Sequence, residues 1–197
     1  MAKLTLDDIA DLRAYERERD DFRRSVIELK QKRRVALGPV ITLLFENRDT
    51  IRFQIQEMAR AEKIMSDEGI QVELDVYNPL IPDPGTLAAT LFIELTSDAE
   101  LRTWLPALVG IETMIELRVG PDQEPVRCVV DADHEQQLTR QDITAAVHYI
   151  HFALSPEQIA ALAAGAATLA SVHPAYRHET PLRAETVAEL ERDLTGQ

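Results

Sequence analysis

Cysteine is almost missing from this chain: Cys128 is the only one in 197 residues. No disulfide can close within it, and neither a CxxC pair nor a cysteine metal knot is available. A lone thiol suits a reducing compartment. Long apolar runs are missing as well. No stretch reaches the roughly 18 residues that a membrane span needs, and the opening MAKLTLDDIADL lacks the apolar core of a secretory signal. The expectation is a cytoplasmic protein with no membrane association. Positive charge is in short supply, with 21 Lys and Arg against 34 Asp and Glu, a net charge of −13. Such a field repels a polyanion, so nucleic-acid binding is not expected. There is no GxSxG elbow, P-loop, GxGxxG fingerprint or HExxH pair, and no internal repeat.

Hydrophobic residues make up 45% of the chain, enough to bury a core. Leu4–Lys32 has helical spacing in two pieces, with Thr5 and Asp8 as a capping pair and the charged Tyr15–Asp21 as a solvated bend or helix surface. The basic cluster Lys30, Lys32, Arg33 and Arg34 suits a last helical turn, where cations complement the helix dipole. Val40–Phe45 is a continuous apolar run with β-branched residues, the pattern of a buried strand. Asn47 or Asp49 can cap a helix over Arg48–Met65, and Asp67–Tyr77 reads as a further helix. Prolines 79, 82 and 84 stiffen the loop that follows.

Thr86–Leu95, Thr113–Val119, Pro125–Val130 and Ile143–Leu154 read as strands, the second and third as a hairpin across Gly120-Pro121-Asp122. Ser97 or Asp98 starts a helix that runs to about Leu108. Ser155-Pro156 starts another that ends near Gly165. Ala166–Val172 is a strand that His173-Pro174 stops, and Ala184–Leu194 is a terminal amphipathic helix. Ala132–Asp142 reads as a loop. Without regular βαβ alternation, the class is α+β: a mixed or mainly antiparallel sheet, an N-terminal helical segment (residues 1–33) and a central buried helix. A single domain over 1–197 is the simplest organisation. A subdomain boundary, if there is one, falls near residues 78–86.

On a helical wheel of Arg48–Met65, Ile51, Ile55, Met58 and Met65 share a face into which Gln54 and Glu62 also fall. A buried polar group needs a partner, at a cost of about 1–3 kcal/mol for an unpaired amide and more for a charge. Phe53, Glu57, Arg60 and Ile64 form a second, mixed stripe. Gln54, Glu57, Arg60 and Glu62 therefore outline a polar pocket. The alternative is a structural network with Glu57 and Arg60 paired at i,i+3.

All five histidines lie between Asp131 and Glu179. On a strand His148 and His151 point to opposite faces and cannot chelate one ion together. A His/carboxylate set of His148 and His173 with Glu57 and Glu62 would suit iron or zinc. The other reading makes them ordinary core or edge histidines, with no cofactor. His151 and Tyr176, of the HPAY segment, complete the candidate pocket. Cys128 reads as a buried strand cysteine, with a Cys128–His134 pair as the catalytic alternative.

The segment RRVALGPVITLLFENRDTIRFQIQEMARAEKI resembles the signature of a bacterial family known only as a domain of unknown function. The resemblance continues through ELDVYNPLIPDPGTLAATLFIEL and VHYIHFAL to HPAY, and so covers almost the whole chain. Such proteins are associated with rubrerythrin-like and iron–sulfur oxidoreductase genes. The resemblance implies an accessory role beside a redox partner in oxidative-stress metabolism, and it carries no catalytic residues. Three functional readings follow: a non-catalytic accessory or binding protein with a redox partner, a metal-dependent or small-ligand-binding enzyme, and a structural homo-oligomer.

Overall fold

The structure, a computed structural model, describes residues 2–130 and 143–196. Strands β1 (Arg34–Leu37), β2 (Ile41–Glu46), β3 (Thr86–Ile93), β7 (Val147–Ala153) and β6 (Val129–Val130) form a five-stranded sheet in the order β1-β2-β3-β7-β6. Strands β5 (Val126–Arg127), β4 (Ile115–Val119), β8 (Ala167–His173) and β9 (Tyr176–Pro181) form a four-stranded sheet in the order β5-β4-β8-β9. Every pairing within them is antiparallel. The helices are α1 (Leu12–Arg33), α2 (Arg48–Glu62), α3 (Asp67–Tyr77), α4 (Asp98–Ala107), α5 (Pro156–Ala163) and α6 (Ala184–Thr195). The fold is α+β, with an N-terminal helix and antiparallel sheets.

The main core lies between the sheets. One sheet contributes Ile41, Leu43, Phe45, Leu91, Ile150 and Phe152, and the other Ile115, Leu117, Val119 and Leu169. Burial of side chains of this size stabilises by roughly 1.5–3 kcal/mol each. Helix α6 closes part of this core with Val187, Leu190 and Leu194. A second, smaller core of Leu4, Ile51, Ile55, Leu74, Leu80 and Ile81 lies beneath α2 and α3.

The sheets are joined at their edges. The expected return strand over Pro125–Val130 divides in two: Val126–Arg127 pairs with β4, whereas Val129–Val130 pairs with β7 in the other sheet. The chain changes sheets at Cys128, whose amide donates to Ile115 O at 2.9 Å. At the opposite edge, β9 lies beside β1 and Thr180 Oγ1 donates to Ala36 O at 2.9 Å. Linking both edges in this way limits the unpaired backbone presented to solvent.

Several local expectations hold. Thr5 N–H donates to Asp8 Oδ2 at 2.8 Å. Asn47 caps α2 by accepting from the amides of Asp49 and Thr50. Ser155 caps α5 ahead of Pro156. Other expectations need correction. The N-terminal break falls at Ile9–Asp11, so of the two readings of the charged segment the helix surface holds and the bend does not. That segment is a paired surface: Glu16, Glu18 and Arg19 meet Arg60, Arg52 and Glu57 of α2.

Helix α2 ends at Glu62 rather than Met65, because Lys63 adopts a left-handed conformation (φ 57°) and its amide bonds back to Ala59 O and Arg60 O. Arg33 does more than complement a dipole. It is fully buried, donates to the carbonyls of Phe45 (2.8 Å) and Glu46 (3.1 Å), and pairs with Asp193 and Glu189 of α6. Strand β9 follows directly on the stop at His173-Pro174, which proves to be a hairpin turn. The loop expected at Ala132–Asp142 and His134 lie outside the described residues.

Candidate functional site

The outward face of the five-stranded sheet carries a buried carboxylate, Glu46. Alternation along β2 sends Ile41, Leu43 and Phe45 into the main core and Thr42, Leu44 and Glu46 to the opposite side. The register places Leu44 opposite Thr90, Thr90 opposite Tyr149, and Phe92 opposite Val147, so these side chains share that outward face. Helix α2 follows β2 after a single residue and brings Thr50, Ile51 and Gln54 across it. A cavity of about 240 Å³ remains between the layers. Lys30 of α1, Tyr77 of α3, Leu80 and the aromatic side chains Phe92 and Tyr149 complete its lining.

Glu46 is a wall of this cavity and only 6% exposed. Its Oε1 accepts from the Thr90 hydroxyl at 2.6 Å, and its Oε2 lies 2.5 Å from Thr50 Oγ1. Thr50 Oγ1 in turn accepts from the Asn47 amide at 2.9 Å, so the cap of α2 also orients the carboxylate. Arg33 reaches only the backbone carbonyl of Glu46. Burial holds the Tyr149 phenol above its ordinary range, and the nearby Tyr77 and Glu46 add to the effect. Lys30 stands with its ammonium 5.4 Å from the Phe53 ring centroid.

Of the residues singled out from sequence, Gln54 lines this cavity. Glu57 faces α1 instead: its Oε1 accepts from Tyr15 OH (2.7 Å) and Arg19 Nε (2.8 Å), and its Oε2 accepts from Arg19 Nη2 (2.9 Å). The Arg19 guanidinium and the Tyr15 hydroxyl hold its carboxyl down at about 2 against the opposing effect of burial. Arg60 pairs with Glu16 at 2.5 Å, so the i,i+3 pairing with Glu57 is replaced by pairing between helices. Glu62 is exposed, and Met65 is 88% exposed beyond the end of the helix. The buried amide of α2 is Gln56, which accepts from Ala10 N–H at 2.8 Å and donates to Ala10 O at 3.1 Å.

The strand geometry separates the histidines as expected. His148 is buried on the core side of β7, with Nε2 2.8 Å from Thr144 Oγ1 and 2.9 Å from Ala145 O. Since a carbonyl only accepts, Nε2 carries the proton in that contact. Burial pushes its pKa below the ordinary range, and Glu112 opposes this. His151 points outward, opposite Ala88 and Val129.

His173 is in the other sheet, with Nε2 3.1 Å from Val109 O and Nδ1 accepting from Ala175 N–H. Tyr176 ties the hairpins together: its hydroxyl donates to Leu37 O at 2.7 Å and accepts from Val40 and Ile41. Gly38, at φ 71°, leaves room for it, since a Cβ there would come within 2.6 Å of the hydroxyl oxygen.

Glu57 and Glu62 are thus on a helix over the outward face, whereas His148 faces the core and His173 belongs to the second sheet. Among the described residues no group of three or more His, Cys, Asp or Glu side chains is placed to hold a metal ion. Cys128 is buried, donates to Glu112 O at 3.0 Å, and has its thiol pushed up to about 11 by burial. Its proposed partner His134 lies outside the described residues.

Sequence reasoning missed Glu46, Thr50 and Thr90. The one signal for them was a glutamate closing an apolar strand, ITLLFE, immediately before a cap residue. On a strand buried on both faces, that glutamate is held largely away from solvent.

A family model described as protein of unknown function, DUF3501, matches residues 3–194. The chain belongs to the DUF3501 family. Its fold is shared by a novel protein of unknown function from Burkholderia pseudomallei K96243, solved at 1.90 Å. That structure is 40% identical to this DUF3501 chain, covers 98% of it and all of the solved chain, and superposes with a TM-score of 0.90. No curated protein matches. Among the described residues of this DUF3501 protein, no helix is long and apolar enough to cross a membrane.

Proposed function

We propose that this protein binds a small ligand in the cavity between α2 and the outward face of the five-stranded sheet. The observation that carries this reading is Glu46, a buried charged side chain exposed to a cavity and oriented by two threonine hydroxyls. Burying a carboxylate costs free energy unless a cation compensates it, and the side-chain partners of Glu46 are two hydroxyls. Concave sites with mostly apolar walls and a few placed polar groups are where small molecules bind. The cavity of about 240 Å³ lies just below the roughly 300–1,000 Å³ usual for that class, which suits only a small molecule.

Two-dimensional NMR with fragment mixtures tests the reading. Shifts should cluster at Thr50, Thr90 and Tyr149, and Gln54→Trp, which places an indole at the cavity wall, should suppress them. Fragments that bind only elsewhere would refute it, as would a library that leaves these residues unmoved.

The accessory role beside an iron–sulfur or rubrerythrin-type redox partner is a second proposal. Its supports are the family resemblance and the net charge of −13, which favours encounter with a basic protein. Saturable, salt-sensitive binding to such a partner is expected, and no binding at low salt would end it.

A further inference from the structure

Resting on the cavity reading above, we propose that the ligand is a small organic monoammonium ion whose cationic head pairs with Glu46. Among the described residues, the side-chain contacts of Glu46 are the two threonine hydroxyls. Hydroxyl dipoles orient a carboxylate without neutralising it, and each oxygen keeps a further acceptor direction. Arg33, the nearest fully buried cation in sequence, is committed to backbone carbonyls and to Asp193 and Glu189. Among the described residues no cation lies within ion-pair distance of the Glu46 carboxyl, which borders the cavity.

The rest of the lining suits the same head group. Phe92, Tyr77 and Tyr149 present aromatic surface, which attracts an ammonium through the ring quadrupole. Apolar Leu44, Ile51 and Leu80 suit a short hydrocarbon body. Burial keeps Tyr149 protonated well past neutral pH, so it adds no second negative charge. Lys30 contributes a positive charge to the same lining. An anionic ligand would be repelled by Glu46, and a diamine's second ammonium by Lys30. A single positive charge on a compact body pairs with Glu46 and brings no second cation to Lys30.

The test is calorimetric titration of the full chain with four probes of matched length: a primary alkylamine, the corresponding alcohol, the corresponding carboxylate and a terminal diamine. The amine is expected to bind at least about ten-fold more tightly than the other three, a difference of about 1.4 kcal/mol. Glu46→Gln should remove that preference. Because a substitution at a buried site can impair folding, Lys30→Ala provides an independent arm. Removing that positive charge should tighten diamine binding more than amine binding and so narrow the gap between the two.

Equal or tighter binding of the alcohol or carboxylate, with NMR shifts at Thr90 and Tyr149, overturns the ammonium assignment while keeping the cavity as a ligand site. An amine–diamine gap that Lys30→Ala leaves unchanged overturns the monoammonium preference. If none of the four binds and the fragment library also fails at the cavity, the cavity reading itself falls.

Discussion

Replacing Glu57 with glutamine isolates one of the charged contacts that fasten α1 to α2. Glutamine keeps an acceptor for Tyr15 and Arg19 but removes the charge that Arg19 grips with two nitrogens, at 2.8 and 2.9 Å. A carboxyl held at about 2 rather than 4.5 implies coupling between its ionisation and folding of about 3 kcal/mol. The side chain is 27% exposed, so solvent screening reduces this to about 2 kcal/mol.

The sign follows from the depressed folded-state value. The stabilisation is complete above the unfolded pKa of 4.5 and disappears as pH falls towards 2. Urea unfolding of wild type and Glu57→Gln, followed by circular dichroism between pH 7 and 2.5, should show the variant about 2 kcal/mol less stable at pH 7. The gap should close through the acid limb. A gap that stays constant or widens on acidification would refute the electrostatic account, and the loss would then be one of packing.

Two further outcomes follow from buried groups. Asp193→Ala strands the fully buried Arg33 with the more distant Glu189 (3.5 Å) and should cost about 3–5 kcal/mol, measured by denaturant unfolding; replacing Arg33 with methionine in the same chain should recover much of it. Cys128, with its thiol at about 11, should react with a soluble thiol reagent at pH 8 at a rate limited by opening of the fold, accelerating in sub-denaturing urea; fast labelling of the native protein would contradict its burial.

Much of the fold was legible because its signals are local. The cap at Asn47, the Ser155-Pro156 start and the doubly buried run over β2 each depend on a few adjacent residues. So did the opposite orientation of His148 and His151, which follows from strand periodicity alone. Strand β9 was not legible: Tyr176–Pro181, YRHETP, is almost wholly exposed and shows no apolar alternation. It is a strand because β8 offers it an edge. The end of α2 was also hidden, since nothing in Lys63 announces a left-handed residue; Glu62 is the last helical residue and is exposed there, not set among apolar neighbours.

Propensity, capping and periodicity act over a few residues, and they suffice to read an acidic α+β chain with one thiol, capped helices and apolar strands from residue order. Tertiary structure alone decided which polar groups meet. Glu46, Thr50 and Thr90 come together through the β2–β3 register, Arg33 and Asp193 through contacts across 160 positions of chain, and Glu57 and Arg19 through the α1–α2 packing. Those meetings depend on how whole layers stack, and an isolated glutamate in a sequence does not reveal whether it will face solvent, an arginine or a cavity.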